Sequence, residues 1–183
     1  MIKFSRLKGT SAMDFLTGLE DINYRVKAFA GDDSVETSDG NDRIWAGRGS
    51  DVVFAGGGDN KIWASGGDDR ISTGSGDDVV KGGKGDDWIS TGEGFDWASG
   101  GRGRDTFVTV NGGQGHVTIT DFEIDDVITF CGCGATQKEQ RGDDTWIVKG
   151  SDVKAVILGV SVDEIELDYV SKTIAMIGSE ILA

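Results

Sequence analysis

Proline is absent from all 183 residues, and histidine occurs once, as His116. The lone histidine excludes a two-histidine zinc protease motif. Neither a G-x-S-x-G elbow nor a Walker loop occurs. Two cysteines, Cys131 and Cys133, are too few and too close for a disulfide framework. No stretch approaches the roughly 18 apolar residues of a membrane-spanning helix. Residues 1–20 lack the apolar run of a cleaved secretory signal. Positive charge is also scarce: 18 Lys and Arg stand against 32 Asp and Glu, a net charge of −14. Free nucleic-acid binding needs a basic footprint, so that class is set aside.

What the chain has in abundance is glycine, 30 residues, of which 19 lie within 28–108. Gly without Pro excludes collagen. Strict phase argues against a disordered linker. Gly31, Gly40, Gly49, Gly58, Gly67, Gly76, Gly85, Gly94 and Gly103 recur every nine residues. Two residues after each comes Asp33, Asp42, Asp51, Asn60, Asp69, Asp78, Asp87, Asp96 or Asp105. Two further on comes an apolar side chain: Val35, Ile44, Val53, Ile62, Ile71, Val80, Ile89, Ala98 or Phe107. Nine in-phase copies mark a solenoid whose short strands must stack on copies of themselves, each burying its middle residue.

Three parts follow. Residues 1–27 read as an N-terminal cap. Ser11-Ala12-Met13-Asp14 resembles a capping box, and Met13, Leu16, Leu19, Ile22 and Val26 follow at helical spacing. A short helix is expected over 12–19. Residues 28–130 hold the repeats and their exit. A tenth, degenerate copy runs from Gly112 through His116 to Ile119, three residues out of phase, with Val117 where the acid belongs. It is expected to carry no ordinary ion. Strand-like stretches follow at Thr120-Asp121-Phe122 and Asp126-Val127-Ile128. Residues 131–183 read as a β-rich C-terminal cap, with strands at Trp146-Ile147-Val148, 154–158 and 172–177 and a short helix or strand over 162–169. Met1 and the two caps suggest a complete chain.

The unit G-G-x-G-x-D-x-U-x resembles the calcium-binding nonapeptide of the RTX (repeats-in-toxin) family, most closely at Gly82-Gly83-Lys84-Gly85-Asp86-Asp87-Trp88-Ile89-Ser90. The resemblance implies an all-β fold: a right-handed parallel β-roll with two nonapeptides per turn, closed by caps at both ends. It carries no activity of its own, since the repeat occurs in toxins, proteases, lipases, epimerases, adhesins and surface-layer proteins. Ala28-Phe29, Thr37-Ser38 and Ala64-Ser65 depart from the double glycine, and Asn60 from the acid.

Calcium wants six to eight oxygen ligands from carboxylates and carbonyls. Glycine lets a tight turn aim its carbonyls inward, and the Asp supplies charge. Asp also favours turns, but turn chemistry does not require an acid in eight of nine copies. By resemblance, ions sit between loops 18 residues apart. One edge pairs Asp33/Asp51, Asp51/Asp69, Asp69/Asp87 and Asp87/Asp105. The other pairs Asp42/Asn60, Asn60/Asp78 and Asp78/Asp96. That gives up to about seven Ca2+, with two weaker sites beside Asn60. The metal-free chain is expected to be largely unfolded, with affinities of roughly 10⁻⁴ to 10⁻³ M, those of extracellular modules.

Residues flanking each buried middle position point outward, and successive copies alternate faces. The even face collects Trp45, Trp63 and Trp97 with Arg43, Lys61 and Lys81; the odd face holds Val52, Phe54 and Trp88 with Arg70. Exposed aromatics mark contact, and the even face is the candidate partner surface, for a polysaccharide, a protein assembly or a second copy. The alternative is that terminal segments fold over one face. No catalytic residue is assigned, and His116 reads as a turn residue rather than a base. Cys131-Gly132-Cys133 reads as two isolated thiols on a strand edge; a soft-metal site or a chain link is the alternative. The function expected is a calcium-folded, non-enzymatic binding or structural module, extracellular by type I-like export without a cleaved signal. A virion or surface-layer component and an accessory module of a secreted polysaccharide-modifying enzyme or protease are the alternatives.

Overall fold

A computed structural model describes residues 4–18, 22–109, 114–130, 136–168 and 172–177. Cys131, Cys133, Gly112 and Gly113 lie outside these residues. Fourteen strands wind into seven coils. The first coil holds β1 (Ser5–Lys8) and β2 (Phe15–Gly18). The next two hold β3 (Tyr24–Ala30) and β4 (Ser34–Thr37), then β5 (Arg43–Arg48) and β6 (Val52–Phe54). They are followed by β7 (Lys61–Gly66) and β8 (Arg70–Ser72), β9 (Val79–Lys84) and β10 (Trp88–Ser90), and β11 (Gly94–Arg102) and β12 (Thr106–Thr109). The last coil is β13 (Gly115–Ile119) with β14 (Val127–Phe130). Odd-numbered strands pair parallel in one sheet and even-numbered strands in the other. This is a parallel β-roll, as the family resemblance implied.

The period sets the register. Within the repeats each residue sits beside the one 18 positions on, as in Arg43 opposite Lys61, Ile44 opposite Ile62 and Trp45 opposite Trp63. The offset grows to 21 between β11 and β13, where the three intervening residues are absorbed. Side chains alternate across a strand, so the middle residue of each copy points inward. Val35, Ile44, Val53, Ile62 and Ile71 are fully buried, and Phe107 continues the ladder to Ile128 in the last coil. Position one of the unit is a second core ladder. Ala28, Ala46, Ala55 and Ala64 are also fully buried there. A small apolar side chain is therefore a structural choice at that position, not a defect of the motif.

The expected helix over 12–19 is not formed. Residues 15–18 are strand β2, with Leu16 opposite Val35. Met13, placed on the apolar face of the supposed helix, is exposed. An isolated helix of two turns is marginal in water. The open end of a parallel sheet offers a row of unpaired backbone groups instead, and residues 5–18 stack on them as a further coil.

At the other end the sheets change direction. After β15 (Thr136–Arg141) and β16 (Asp144–Lys149), β17 (Asp152–Ile157) closes an antiparallel meander and runs parallel against β13. A 3-10 turn at Val162–Glu164 leads into β18 (Ile165–Asp168), so the stretch over 162–168 is both a helical turn and a strand. β19 (Thr173–Met176) then pairs antiparallel with β14. Ile147, Ile157, Ile165 and Ile174 are fully buried and belong to the same core as Ile44 and Ile62.

The nine in-phase glycines all have positive φ, between 100° and 157°. At Gly67 a Cβ would overlap the backbone carbonyl of Gly49 one coil back. Phe29 and Ser65 hold positive φ values of 87° and 91° without being glycine. L-residues disfavour that region by roughly 1–2 kcal/mol, and a glycine's extra unfolded-state freedom offsets part of the gain. Ser65→Gly is therefore expected to stabilise the roll by about 1 kcal/mol. A raised Tm in calorimetry checks this; a lowered one contradicts it.

Candidate metal centre

The position-six residue of each unit is turned into the interior, directly before its strand except for Asp96, which lies within β11. Asp33, Asp42, Asp51, Asp69, Asp78, Asp87, Asp96, Asp105 and Asn60 are all at most 2% exposed. Burying nine such side chains requires partners, and the stack supplies one for each. Oδ1 of every position-six residue accepts the backbone N–H of its counterpart one coil back. On one edge Asp33, Asp51, Asp69 and Asp87 donate in turn to Asp51, Asp69, Asp87 and Asp105 at 2.7–2.8 Å. On the other, Tyr24 donates to Asp42, Asp42 to Asn60, Asn60 to Asp78 and Asp78 to Asp96, at 2.6–3.0 Å. Residues 18 apart are thus joined along both edges by hydrogen bonds.

The second oxygen is different. Oδ2 of Asp33, Asp42, Asp51, Asp69, Asp78, Asp87, Asp96 and Asp105 is buried with no hydrogen-bond partner. Thr37, close to Asp42, gives its single hydroxyl proton to the Ala55 carbonyl at 3.0 Å, so it does not satisfy the carboxylate. At Gly82 and Gly100 a Cβ would overlap Oδ2 of Asp87 and Asp105. These glycines leave the space that the carboxylates occupy. Among the described residues no three His, Cys, Asp or Glu side chains converge. Any ion in these loops therefore takes most of its ligands from backbone carbonyls. One bare carboxylate oxygen among carbonyls is an oxygen-only donor set, which suits calcium rather than a thiolate- or imidazole-bound metal.

The electrostatics agree. Burial raises Asp87 to about 8, Asp69 and Asp78 to about 7, and Asp51, Asp96 and Asp105 to about 6. It also raises Asp33 and Asp42 above the ordinary carboxylate range. The ladder N–H bonds oppose the rise. At Asp87 the carboxylates of Asp69 and Asp105 add to it.

Three features of the ladder lie outside the nine-copy pattern. Asp14 donates its N–H to Asp33 at 2.8 Å and so begins one edge. Asp126 ends that edge: its Oδ1 accepts the Asp105 N–H at 2.9 Å and its Oδ2 the Glu123 N–H at 2.7 Å. Both of its oxygens accept a backbone N–H, unlike those of the eight repeat Asp residues, yet burial still raises it to about 7. A second ladder runs along position five in the opposite sense. Ser50 donates to Asp32, Asp86 to Asp68, Asp59 to Asn41 and Asp77 to Asp59, at 2.9–3.0 Å. The signals were present: Asp14-Phe15-Leu16 and Asp126-Val127-Ile128 both carry the D-x-U spacing, and position five is Asp, Asn or Ser in seven of nine copies.

The even-face residues fall in two registered rows. Arg43, Lys61 and Trp97 share one row, interrupted by Val79, and Trp45, Trp63 and Lys81 share the next. Trp45 and Trp63 stack on each other, centroids 4.9 Å apart and 5° from parallel. Lys27 covers the Trp45 ring at 5.6 Å. On the odd face the Arg70 guanidinium lies 3.8 Å over Trp88. His116 sits edge-to-face on Phe95 at 5.4 Å and beside Trp146 at 6.1 Å, and burial lowers its pKa.

A carboxyl whose folded value lies above its unfolded value, about 4, binds more protons when folded. The metal-free fold is therefore favoured by acid and loses stability as pH rises through about 6 to 8. Calcium needs the charged form, so its stabilisation runs the other way. With chelator, Tm is expected to rise as pH falls from 8 to 5; with saturating calcium it is expected to fall over the same range. Thermal melts by circular dichroism check both signs, and a chelated protein with a flat profile contradicts the assignment.

No curated protein matches the sequence. Among solved structures, the chain is similar to the extracellular lipase LipA from Serratia marcescens. Identity is 17% and the TM-score 0.36, with 88% of this chain and 39% of that one covered. The chain thus spans about two fifths of the length of that lipase. The model of the RTX calcium-binding nonapeptide repeat matches four times, at residues 28–62, 45–80, 63–98 and 81–119. These matches span the loops whose buried carboxylates were just described, and RTX nonapeptide repeats bind Ca2+. The chain belongs to the RTX calcium-binding nonapeptide repeat family.

Proposed function

We propose that this is a non-catalytic binding module that folds on calcium outside the cell and docks an acidic polysaccharide on the face of its odd-numbered strands. The observation that carries the reading is charge segregation. Arg6, Arg25, Arg43 and Lys61 lie side by side in one row across β1, β3, β5 and β7. Lys8, Lys27, Trp45, Trp63 and Lys81 form the adjacent row. No acid occurs in β1, β3, β5, β7 or β9. Seven of the chain's 18 basic residues thus share one face of a molecule with a net charge of −14. None of the seven takes part in an ion pair among the described residues.

The rows run perpendicular to the strands with a rise of about 4.8 Å per coil, a linear track of cations. Aromatic rings fix their positions: Arg25 and Arg43 lie 5.3 Å from the Phe4 ring, and Lys8 lies 5.5 Å from Phe29. Trp45 and Trp63 use their faces on each other and on Lys27, so they organise the track and leave recognition to charge. A shallow basic groove lies between Arg6, Lys8, Arg25 and Lys27. Further along the face, Val79, Lys81, Trp97 and Ser99 line an apolar one. A linear polyanion matches this pattern, and a polysaccharide is the polyanion suited to an extracellular setting. Calcium in the Asp loops neutralises the repelling edges, so the face becomes usable when the metal is bound.

Dextran sulfate and uncharged dextran differ in charge alone and separate recognition of charge from recognition of sugar. With calcium present, calorimetry is expected to show binding to the sulfated polymer only, weakening as salt rises. Changing Arg43, Lys61 and Lys81 together to Ser is expected to weaken it about tenfold while calcium-induced circular dichroism is unchanged. Equal binding of both polymers, or no effect of the triple variant, contradicts the reading. A dimer that buries this face in sizing experiments assigns the face to self-association instead.

A further inference from the structure

Asn60 is the one position-six residue that is not an acid, and its surroundings differ from those of its eight counterparts. The sequence leads one to expect its amide oxygen as a weak calcium ligand. That oxygen is already engaged: Oδ1 accepts the Asp42 N–H at 3.0 Å, the role played by Oδ1 of every neighbouring Asp. The bond fixes the orientation of the amide, because a backbone N–H must face oxygen and not the NH2 group. Nδ2 therefore stands where the Asp loops leave a bare Oδ2. It donates to the Gly58 carbonyl at 2.9 Å and to the Gly56 carbonyl at 3.4 Å.

Those carbonyls belong to positions two and four of the unit, equivalent to Gly83 and Gly85 in the loop of Asp87. In the Asp loops the cradle offers a buried anionic oxygen with nothing opposite it. In the Asn60 loop the same cradle is filled by an N–H donor whose hydrogens carry partial positive charge. A cation there would face those hydrogens instead of a carboxylate. Asn60 is fully buried, so water does not compete for the amide.

We propose that the Asn60 amide is a built-in, uncharged stand-in for the cation: the loop over 55–60 closes without metal and binds none. This rests on the calcium reading of the eight Asp loops. The consequence is a coil whose shape does not wait for an ion. It leads directly into β7, whose Trp63 stacks on Trp45 at the middle of the basic face.

Asn60→Asp restores the residue found in the other eight copies and is expected to fold with calcium. Calcium bound per chain at saturation, counted by equilibrium dialysis, is expected to rise over the unmodified protein. Thermal melts are expected to move in opposite directions: lower than the unmodified protein at limiting calcium, where another buried charge is unpaired, and no lower in saturating calcium. Asn60→Ala leaves the Asp42 N–H and two carbonyls unpaired, so its Tm is expected to fall at limiting and at saturating calcium. An equal ion count in the Asp variant and the unmodified protein overturns the inference, as does an unchanged melt at limiting calcium. If the unmodified protein binds no calcium, the reading of the Asp loops fails instead, and the melts still decide the role of Asn60.

Discussion

A buried carboxylate with one oxygen satisfied and one bare is the constraint on which this molecule is built. Eight such groups are stacked at coil spacing along the two edges of the roll. Oδ1 is what locks one coil to the next, through the N–H one turn back. Oδ2 is what leaves the stack incomplete, since an unpaired buried anion is costly. Protons or hard cations remove that cost, and the raised pKa values record the competition between them. A proton or cation that binds Oδ2 only in the folded state adds to the stability of that state.

The two ends show what it takes to stop such a column. At the N-terminal end, Asp14 supplies a backbone N–H to the first repeat while its own carboxylate is turned to Thr10. At the C-terminal end, Asp126 takes the position-six place and receives two backbone N–H groups, one on each oxygen, while burial still raises it to about 7. On the other edge Val117 replaces the acid by an apolar group. Beyond these points the sheets turn antiparallel, and Ile147, Ile157, Ile165 and Ile174 cover the end of the core.

Charge is sorted as firmly as hydrophobicity. Acids occupy the edges, where the loops are, and one sheet face carries cations in registered rows. Because neighbours in a parallel stack are set by period, a residue type placed every 18 positions becomes a continuous row without any further design. The stacked pair Trp45 and Trp63 and the row from Arg6 to Lys61 are both products of that arithmetic.

The period, the middle apolar ladder and the inward Asp were all legible in the chain, because a strict nine-residue repeat leaves one way to stack and alternation fixes which side chains enter. The even and odd faces were legible for the same reason. The first coil was not, because Met13, Leu16 and Leu19 fit a helical period as well as they fit a strand, and only an open sheet edge beside them decides between the two. Asp126 could be matched to the motif, but its second N–H bond comes from a local turn that no spacing announces. The same holds for Asn60: the sequence declared the missing charge, and only the packed loop determined which end of the amide faces the carbonyls. Periodicity determines which residues are neighbours; how each polar atom is satisfied depends on the position of backbone donors one coil away, and that exists only once the coils are stacked.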